Sequence, residues 1–416
     1  MNNIFQLVVI TNILLTLYRL NHMQINLNST LNYSKMSKHN ILIAGAGGIG
    51  QAVGLILAEN SALDVNLYLG DISEKALEKS SKFILDGCTQ SVNVQTILMP
   101  KDGSSVEWEK VLDTCDILLD CLPGSVAPRM AKFCVKHHLH YVNLTEYVAE
   151  TNEIMKIAEY ADTGFALQTG VAPGFVNILG NYLYQEFQEK YGNDELELME
   201  MKVGALSENA SAPHFYAFTW SPIGVATEYV KDAIIVKNNK ITKVSSLSEP
   251  RELVLQGFRY EDDFTSGGAA DFPEAFKNKI RNINYKTLRY VGHYDWVNTQ
   301  LEEIGDVPNP EKILEKMMLE QIPTVENDLI IIYCRVKGKA DDGRLRAIDK
   351  VLKIYPMKIG SQTLRAIQST TAAPMCECAR MLLQGEMKNG INLQSQINPK
   401  SFMNGPFVKM VYGEVS

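Results

Sequence analysis

The chain of 416 residues lacks the marks of several common catalytic classes. It has no HExxH, no Walker A sequence and no serine elbow with His and Asp partners. The reaction classes those motifs carry are set aside. The seven cysteines are scattered without paired metal-ligand spacing, and Cys376-Glu377-Cys378 is too close for the common zinc pairs. Buried free thiols in a reducing, cytoplasmic setting are expected, with no metal. Positive charge is also scarce. Lys and Arg number 40 against 48 Asp and Glu, a net charge of −8, which argues against a nucleic-acid partner. Long hydrophobic runs are missing. Leu7 to Tyr18 is apolar but too short to span a bilayer, and no Lys or Arg precedes it as in a signal peptide. Residues 1–38 read as an extension. The alternatives for it are a disordered segment, a start-site artefact with Met36 as the true start, or a weak membrane anchor. No membrane partner is expected.

What is present is ordinary globular composition, 46% apolar and 21% charged, in a length that suits two domains or one large one. The informative stretch is 41–71. A short apolar run, Ile41-Leu42-Ile43-Ala44, leads into Gly45-x-Gly47-x-x-Gly50. Apolar residues at helical spacing follow, then a second apolar run that ends at Asp71. Strand, glycine turn, helix, strand and acid, in that order, match the dinucleotide-binding fingerprint. Gly45 permits the tight turn, Gly47 lets backbone approach a pyrophosphate, and Gly50 lets helix and strand pack closely. Gly48 is an extra glycine without an assigned task. The helix start offers free N–H groups to phosphate. Asp71 is expected to accept from both adenosine ribose hydroxyls and to repel a 2′-phosphate, with no Arg at Ile72 or Ser73 to offset it. NAD is therefore expected, with NADP possible. The other reading of Asp71 is a cap for a helix over 73–83.

Further βα units follow. Helices are expected over 73–88, 106–112, 128–137, 152–162 (capped by Thr151 or Asn152) and 175–188. Strands are expected over 92–99, 115–121, 140–144 and 165–169. This is a doubly wound, mostly parallel sheet, an α/β fold. In such sheets ligands lie at the carboxyl ends of strands, so Leu122-Pro123 should run along the cofactor. After about 195 strand-like runs crowd together, at 196–205, 233–236, 241–244, 286–290, 329–337 and 346–359. An Asn238-Asn239 turn joins two of them. A second, α+β domain with a mixed or antiparallel sheet is expected. Residues 363–383 are helical again, with Pro374 expected to kink or interrupt the helix. The domain boundaries read 39–150 plus a returning segment near 361–390 for the nucleotide domain, and 151–360 for the substrate and dimerisation domain.

Four stretches carry candidate chemistry. The loop from Gly170 through Val171 and Pro173 to Asn177 ends a strand and would aim backbone groups at nicotinamide and substrate, or serve only as a structural turn. Thr265-Ser266-Gly267-Gly268 offers N–H and O–H donors to a carboxylate, or is an ordinary loop. In Leu288-Arg289-Tyr290-Val291-Gly292-His293, Arg289 suits a forked grip on a carboxylate and His293 a proton transfer, against a merely structural histidine. His214, Tyr216 and Trp220 either wall a pocket or pack a core. With the other motifs absent, hydride transfer by a bound nicotinamide is the chemistry left.

Together the glycine turn, Asn143-Leu144-Thr145-Glu146, Gly170-Val171-Ala172-Pro173-Gly174 with Asn177, Thr265-Ser266-Gly267-Gly268 and Leu288-Arg289-Tyr290-x-Gly292-His293 resemble the saccharopine dehydrogenase family. The likeness runs from about 39 to 410 and lies nearest the lysine 6-dehydrogenase and saccharopine reductase branch. It implies reversible oxidation of an amino-acid C–N bond through an imine, a helix near 361–385 that returns to the nucleotide domain, and a homodimer. Many relatives in the saccharopine branch use NADP, and others make carboxynorspermidine or homospermidine. The resulting expectations place the cofactor against Gly45, Gly47, Gly48, Ile49, Gly50, Asp71, Ile72, Leu122, Pro123, Asn143, Thr145, Val171 and Pro173. Tyr147, Asn177, Arg289 and His293 are expected to serve a small amino-acid substrate. Two rival readings are a polyamine-forming transferase that borrows and returns hydride, and a cofactor-binding protein without turnover.

Overall fold

In the computed structural model, residues 38–208 and 210–414 are described. The expectations for Leu7–Tyr18 and Met36 fall outside them. Six strands follow one another with helices between: β1 His39–Ala44, β2 Val65–Asp71, β3 Asn93–Leu98, β4 Ile117–Asp120, β5 His140–Asn143 and β6 Gly164–Ala166. The mixed-sheet strands come next: β7 Leu196–Ser207, β8 Ala233–Lys237, β9 Lys240–Val244, β10 Arg251–Leu255, β11 Phe258–Phe264, β12 Ile283–Arg289, β13 Asp328–Lys339 and β14 Leu345–Ile354. A small ribbon, β15 Met357–Ile359 with β16 Gln362–Leu364, precedes β17 Gly390–Asn392.

The first sheet has seven strands in the order β17-β6-β5-β4-β1-β2-β3, every pair parallel. The apolar run of β1 is explained by its place in the middle. Ile41 and Ile43 enter one core, Leu42 and Ala44 the other, and all four are fully buried. A central parallel strand covered on both faces must be apolar throughout. Order reverses beside β1, which puts a crevice at the carboxyl ends of β1 and β4. The second sheet runs β10-β11-β12-β7-β13-β14, with β8 and β9 attached through β12. It is mixed, since β12 runs parallel to β7 while β13 runs antiparallel to it. Asn238 and Asn239 both take positive φ, as a two-residue hairpin turn requires.

The helix Ala366–Leu383 joins the two sheets. Its first free N–H groups, at Ala366 and Ile367, donate to the two carboxylate oxygens of Asp328 at 2.6 and 2.7 Å. It then packs along the helix Gly48–Glu59. Pro374 lies inside it and does not interrupt it. A proline leaves the carbonyl four residues back without a donor. That carbonyl is Thr370, and the Tyr412 hydroxyl donates to it at 2.5 Å. The helix expected over 152–162 runs instead over Val148–Ile157, with Tyr147 at its cap position and Thr151 buried within it. The strand expected over 165–169 stops at Ala166, and Gln168 takes a positive φ of 58°.

Candidate active site

The glycine turn forms a cradle whose shape depends on missing side chains. Gly45 has φ +105°, and a Cβ there would stand 2.9 Å from the Cys121 carbonyl oxygen. A Cβ on Gly50 would meet the Gly45 oxygen at 1.9 Å. At Gly47 the opposite holds. Among the described residues, a Cβ there would meet nothing within 4 Å, so the space beside this backbone is open. Gly47 caps the helix Gly48–Glu59 with no side-chain hydrogen bond, which leaves first-turn N–H groups for an anion. Gly48 acquires a task. Its missing side chain makes room for the Gln368 amide, which donates to the Gly48 oxygen at 2.9 Å.

Asp71, at the end of β2, closes the cradle. One of its oxygens accepts from Ala46 N at 2.7 Å and the other from Ser73 N at 2.9 Å. The carboxylate is thereby held against the turn. Ser73, not Asp71, caps the next helix, by accepting from Ala76 N. Ile72 is exposed beside it. Buried polar atoms mark the rest of the cradle side. Among the described residues the Asn143 Nδ2 and the Thr145 Oγ1 lack hydrogen-bond partners. Uncompensated buried donors of this kind suit a polar ligand. The cradle, the open space at Gly47, the carboxylate at Asp71 and these orphan atoms fit a dinucleotide.

Between the cradle and the mixed sheet lies a cavity of about 950 Å³. Its wall on the parallel-sheet side comes from strand-end loops, Cys121 to Ser125, Leu144 to Tyr147 and Gly170 to Pro173, with Ile49. Its opposite wall comes from Val203 and Ala205 of β7, Tyr285, Thr287 and Arg289 of β12, and Trp220, Ile223 and Glu228. Ile367 and Thr371 of the returning helix complete it, and the exposed Lys312 stands at its edge. The period of two along β12 explains its contribution. Tyr285, Thr287 and Arg289 share one face, while Lys286 turns to the other and pairs with Asp262 at 3.1 Å.

The cavity thus gathers Ile49, Leu122, Pro123, Thr145, Tyr147, Val171, Pro173 and Arg289 from the expected set. Asn177 and His293 are both fully buried outside its wall. Asn177 accepts from Gly174 N at 2.9 Å and donates to the Gly268 oxygen at 3.0 Å, which fastens the 170–174 loop to the 265–268 loop. That second loop also stays outside the wall. Thr265 shares a hydrogen bond of 2.6 Å with Thr287, and Gly268 lies against the Tyr285 ring. His293 is hydrogen-bonded to Tyr229 and to the His214 carbonyl, and burial with the nearby Arg289 charge pushes its pKa down to about 3. Trp220 lines the cavity, whereas Tyr216 lies behind Arg289 with its ring 4.9 Å from the guanidinium.

Two carboxyls escaped sequence reasoning. Glu146, noted only as part of a segment, and Glu228, not noted at all, both line the cavity. Burial raises both well above the usual carboxylate range, and the Glu146 charge raises Glu228 further while Arg289 opposes the rise. Glu146 reaches the helix Pro222–Val230 one turn before Glu228, since its Oε1 lies 3.3 Å from where a Gly224 Cβ would sit. Arg289 Nη2 stands 4.0 Å from Glu228 Oε2. A lone acid in Pro-Ile-Gly-Val-Ala-Thr-Glu-Tyr-Val reads as a solvated face, so nothing in the sequence marked Glu228. Among the described residues no cluster of three His, Cys, Asp or Glu forms a metal site, and no helix is long and apolar enough to cross a membrane.

A parallel nucleotide-binding sheet, a glycine cradle and a largely apolar cavity with a few polar groups, walled on its far side by a second mixed sheet, define a dinucleotide-dependent dehydrogenase architecture. Comparison with known proteins gives the family. Residues 41–171 match the saccharopine dehydrogenase NADP binding domain and residues 170–412 the saccharopine dehydrogenase C-terminal domain. The chain belongs to the saccharopine dehydrogenase family of nicotinamide-dinucleotide oxidoreductases. Among curated proteins it is similar to mitochondrial alpha-aminoadipic semialdehyde synthase. Identity is 20% over 212 residues with the Mus musculus protein, covering 51% of this chain and 22% of that one. It is 21% over 267 residues with the Bos taurus protein, covering 62% and 27%. The chain thus spans about a quarter of the length of these relatives. In fold it is similar to apo saccharopine dehydrogenase (L-Glu forming) from Saccharomyces cerevisiae, with TM-score 0.70, 15% identity, and 90% and 98% of the two chains covered. It is also similar to homospermidine synthase from Legionella pneumophila, solved with NAD, with TM-score 0.57, 11% identity and 90% of each chain covered.

Proposed function

We propose that this chain is an NAD-dependent oxidoreductase acting at a C–N bond of an amino acid of the saccharopine or lysine type. One observation carries the reading. A single cavity brings the strand-end loops beside the glycine cradle together with a buried arginine, the buried Glu228 and the half-buried Glu146. Bound nicotinamide supplies the hydride acceptor. The protein residues do the rest. Arg289 holds the substrate carboxylate through its Nη2, which among the described residues has no hydrogen-bond partner and stands 4.0 Å from Glu228. Glu146 and Glu228, kept partly protonated by burial, exchange a proton with the substrate nitrogen. In the oxidative direction the hydride would leave carbon for the bound nicotinamide, the nitrogen gives its proton to one of the two carboxyls, and a C=N bond forms. Water then adds to the imine carbon, and the C–N bond breaks. Tyr147, at the wall, assists proton transfer. Trp220 and the 170–173 loop limit water.

Asp71 supports NAD over NADP, because a second anion beside a held carboxylate is repelled. The same reading includes a nucleotide domain over 39–150 with 361–390, a substrate and dimerisation domain over 151–360, a homodimer and a cytoplasmic setting. Sedimentation and fractionation test the last two. The acid pair beside Trp220 favours a second reading, a polyamine-forming transferase, since two carboxyls and an aromatic face suit a cationic amine.

The test is a panel of L-saccharopine, L-lysine and polyamines with each dinucleotide, followed by the absorbance of the reduced nicotinamide. Net NADH accumulation with an amino acid is expected. Product formation from polyamines without net NADH supports the transferase. Tight NADH binding with no turnover of any substrate removes both.

A further inference from the structure

Behind Arg289 lies a chain of hydrogen bonds whose directions can be worked out from one end. His293 Nδ1 is 2.6 Å from the His214 carbonyl oxygen, which can only accept, so Nδ1 carries the proton. His293 is buried beside the Arg289 charge, which keeps it neutral, and its Nε2 is therefore an acceptor. The Tyr229 hydroxyl, 2.9 Å away, must donate to it. The Tyr229 oxygen is then left to accept, and Arg289 Nε donates to it at 2.6 Å. Arg289 Nη1 donates to the Leu288 carbonyl at 3.0 Å. Among the described residues Nη2 has no hydrogen-bond partner, although Arg289 is only 1% exposed and lines the cavity.

Donors left unpaired at such depth are costly, and a guanidinium fork offers them in one plane. The guanidinium is also gripped between rings, 4.9 Å from the Tyr216 centroid and 5.5 Å from that of Tyr229. Neither Tyr229 nor His293 lines the cavity.

We propose that Tyr229 and His293 are positioning residues which, anchored on the His214 carbonyl, hold the Arg289 fork so that its Nη2 is reserved for a ligand carboxylate. The inference rests on the carboxylate role of Arg289 given above and adds the device that orients it. It also assigns His293 a purpose other than proton transfer. As the neutral Nδ1–H tautomer it has no proton to exchange with the cavity, but it makes Tyr229 an obligate donor on one side and so an acceptor towards Arg289 on the other.

The test uses the full chain saturated with NADH, which leaves L-saccharopine without a hydride acceptor, and measures L-saccharopine binding by quenching of tryptophan fluorescence, since Trp220 lines the cavity. Arg289→Ala, Tyr229→Phe and the double variant are compared with the parent. Tyr229→Phe is expected to weaken L-saccharopine binding about tenfold, the scale of one charged hydrogen bond, and to leave the dissociation constant for NADH within about twofold. In the Arg289→Ala background it is expected to add less than about twofold, because Tyr229 acts only through Arg289. The carboxylate-free 1,5-diaminopentane should bind Tyr229→Phe and the parent alike. An effect of Tyr229→Phe that persists undiminished without Arg289 overturns the proposal, and so does its absence in the parent background. If Arg289→Ala itself leaves L-saccharopine binding unchanged, or the parent does not bind it, the carboxylate reading falls first and the positioning role falls with it.

A second measurement needs no ligand. Nitrogen spectra of ¹⁵N-histidine-labelled protein, with His293→Phe for assignment, should show His293 neutral with its proton on Nδ1 from about pH 5 to about pH 8. A protonated ring or the opposite tautomer breaks the chain of donors and overturns the proposal.

Discussion

The side-chain amide of Gln368 donates to the main-chain carbonyl of Gly48 at 2.9 Å, across 320 positions of sequence. The helix that carries Gln368 starts on the carboxylate of Asp328, the first residue of β13. The glycine cradle is therefore braced from the mixed sheet through two hydrogen-bonded steps. Gln368→Ala removes the brace from an edge of the core and leaves the apolar packing in place. Its NADH affinity should fall about fivefold, roughly 1 kcal/mol, with little change in Tm. Titration of NADH fluorescence reads the effect, and an unaltered dissociation constant would show that the cradle holds its shape without help.

Two glycines three residues apart in the first helical turn region should fail in opposite ways. Gly47→Ala places its methyl in open space, so Tm should hold while NADH affinity drops at least about tenfold, roughly 1.4 kcal/mol. Gly50→Ala drives a methyl to 1.9 Å from the Gly45 oxygen, which no side-chain rotation relieves. It should cost about 3 kcal/mol of stability or more, because backbone must move. Thermal melts with and without NADH separate the two. Equal loss of stability in both variants would mean that Gly47 faces packed protein rather than a ligand.

How far the sequence could be read follows from where each residue's partners lie. The parallel half was legible in order, since the core of β1 is buried on both faces and leads into the glycine turn, while β2 buries Val65, Leu67 and Leu69 and ends at Asp71. The Asn238-Asn239 hairpin was legible because its turn chemistry is local. The β10–β11 hairpin was not. Its strands Arg-Glu-Leu-Val-Leu and Phe-Arg-Tyr-Glu-Asp-Asp-Phe look solvated. Yet Asp262 is buried between Lys202 of β7 and Lys286 of β12, partners that only the sheet order supplies. The site divides the same way. Arg289 and the 170–173 loop carried signals of their own and meet in one cavity. Glu228 carries none, and its character comes from burial and from Glu146, against the opposing charge of Arg289. The continuous helix through Pro374 depends on Tyr412, 42 positions from the carbonyl it satisfies.

The proposed preference for NAD turns on Asp71. Its oxygens are held by Ala46 N and Ser73 N, so the carboxylate cannot swing clear of a group bound at the end of β2. Asp71→Asn removes the charge and keeps one of the two acceptors, leaving either Ala46 N or Ser73 N without its bond at some cost in Tm. The ratio of kcat/KM for NAD over NADP should fall at least about tenfold, mainly through improved use of NADP. Steady-state rates with both dinucleotides decide it. A parent enzyme that already prefers NADP would overturn the role given to Asp71.

The carboxyl pair links activity to stability through pH, with a definite sign. Burial holds Glu146 and Glu228 above the usual carboxylate range. The folded protein therefore keeps protons that the unfolded chain releases above about pH 4.3, the ordinary glutamate value. The unfolded state binds fewer protons in that window, so stability is fully present below it and declines as pH rises through neutrality. Glu228→Gln cannot ionise and escapes its share of the decline. Its Tm should draw level with the parent near pH 4 to 5 and exceed it increasingly towards about pH 9. Hydride transfer to or from the amino acid should meanwhile fall about a hundredfold at neutral pH, the scale of a lost proton-transfer partner, while NADH binding holds. Melting curves across pH, set beside kcat and the dinucleotide dissociation constant, separate the two effects. If Glu228→Gln instead loses Tm as pH rises, the carboxyl is ionised and stabilised in the folded protein, and it cannot serve as the proton carrier proposed for it.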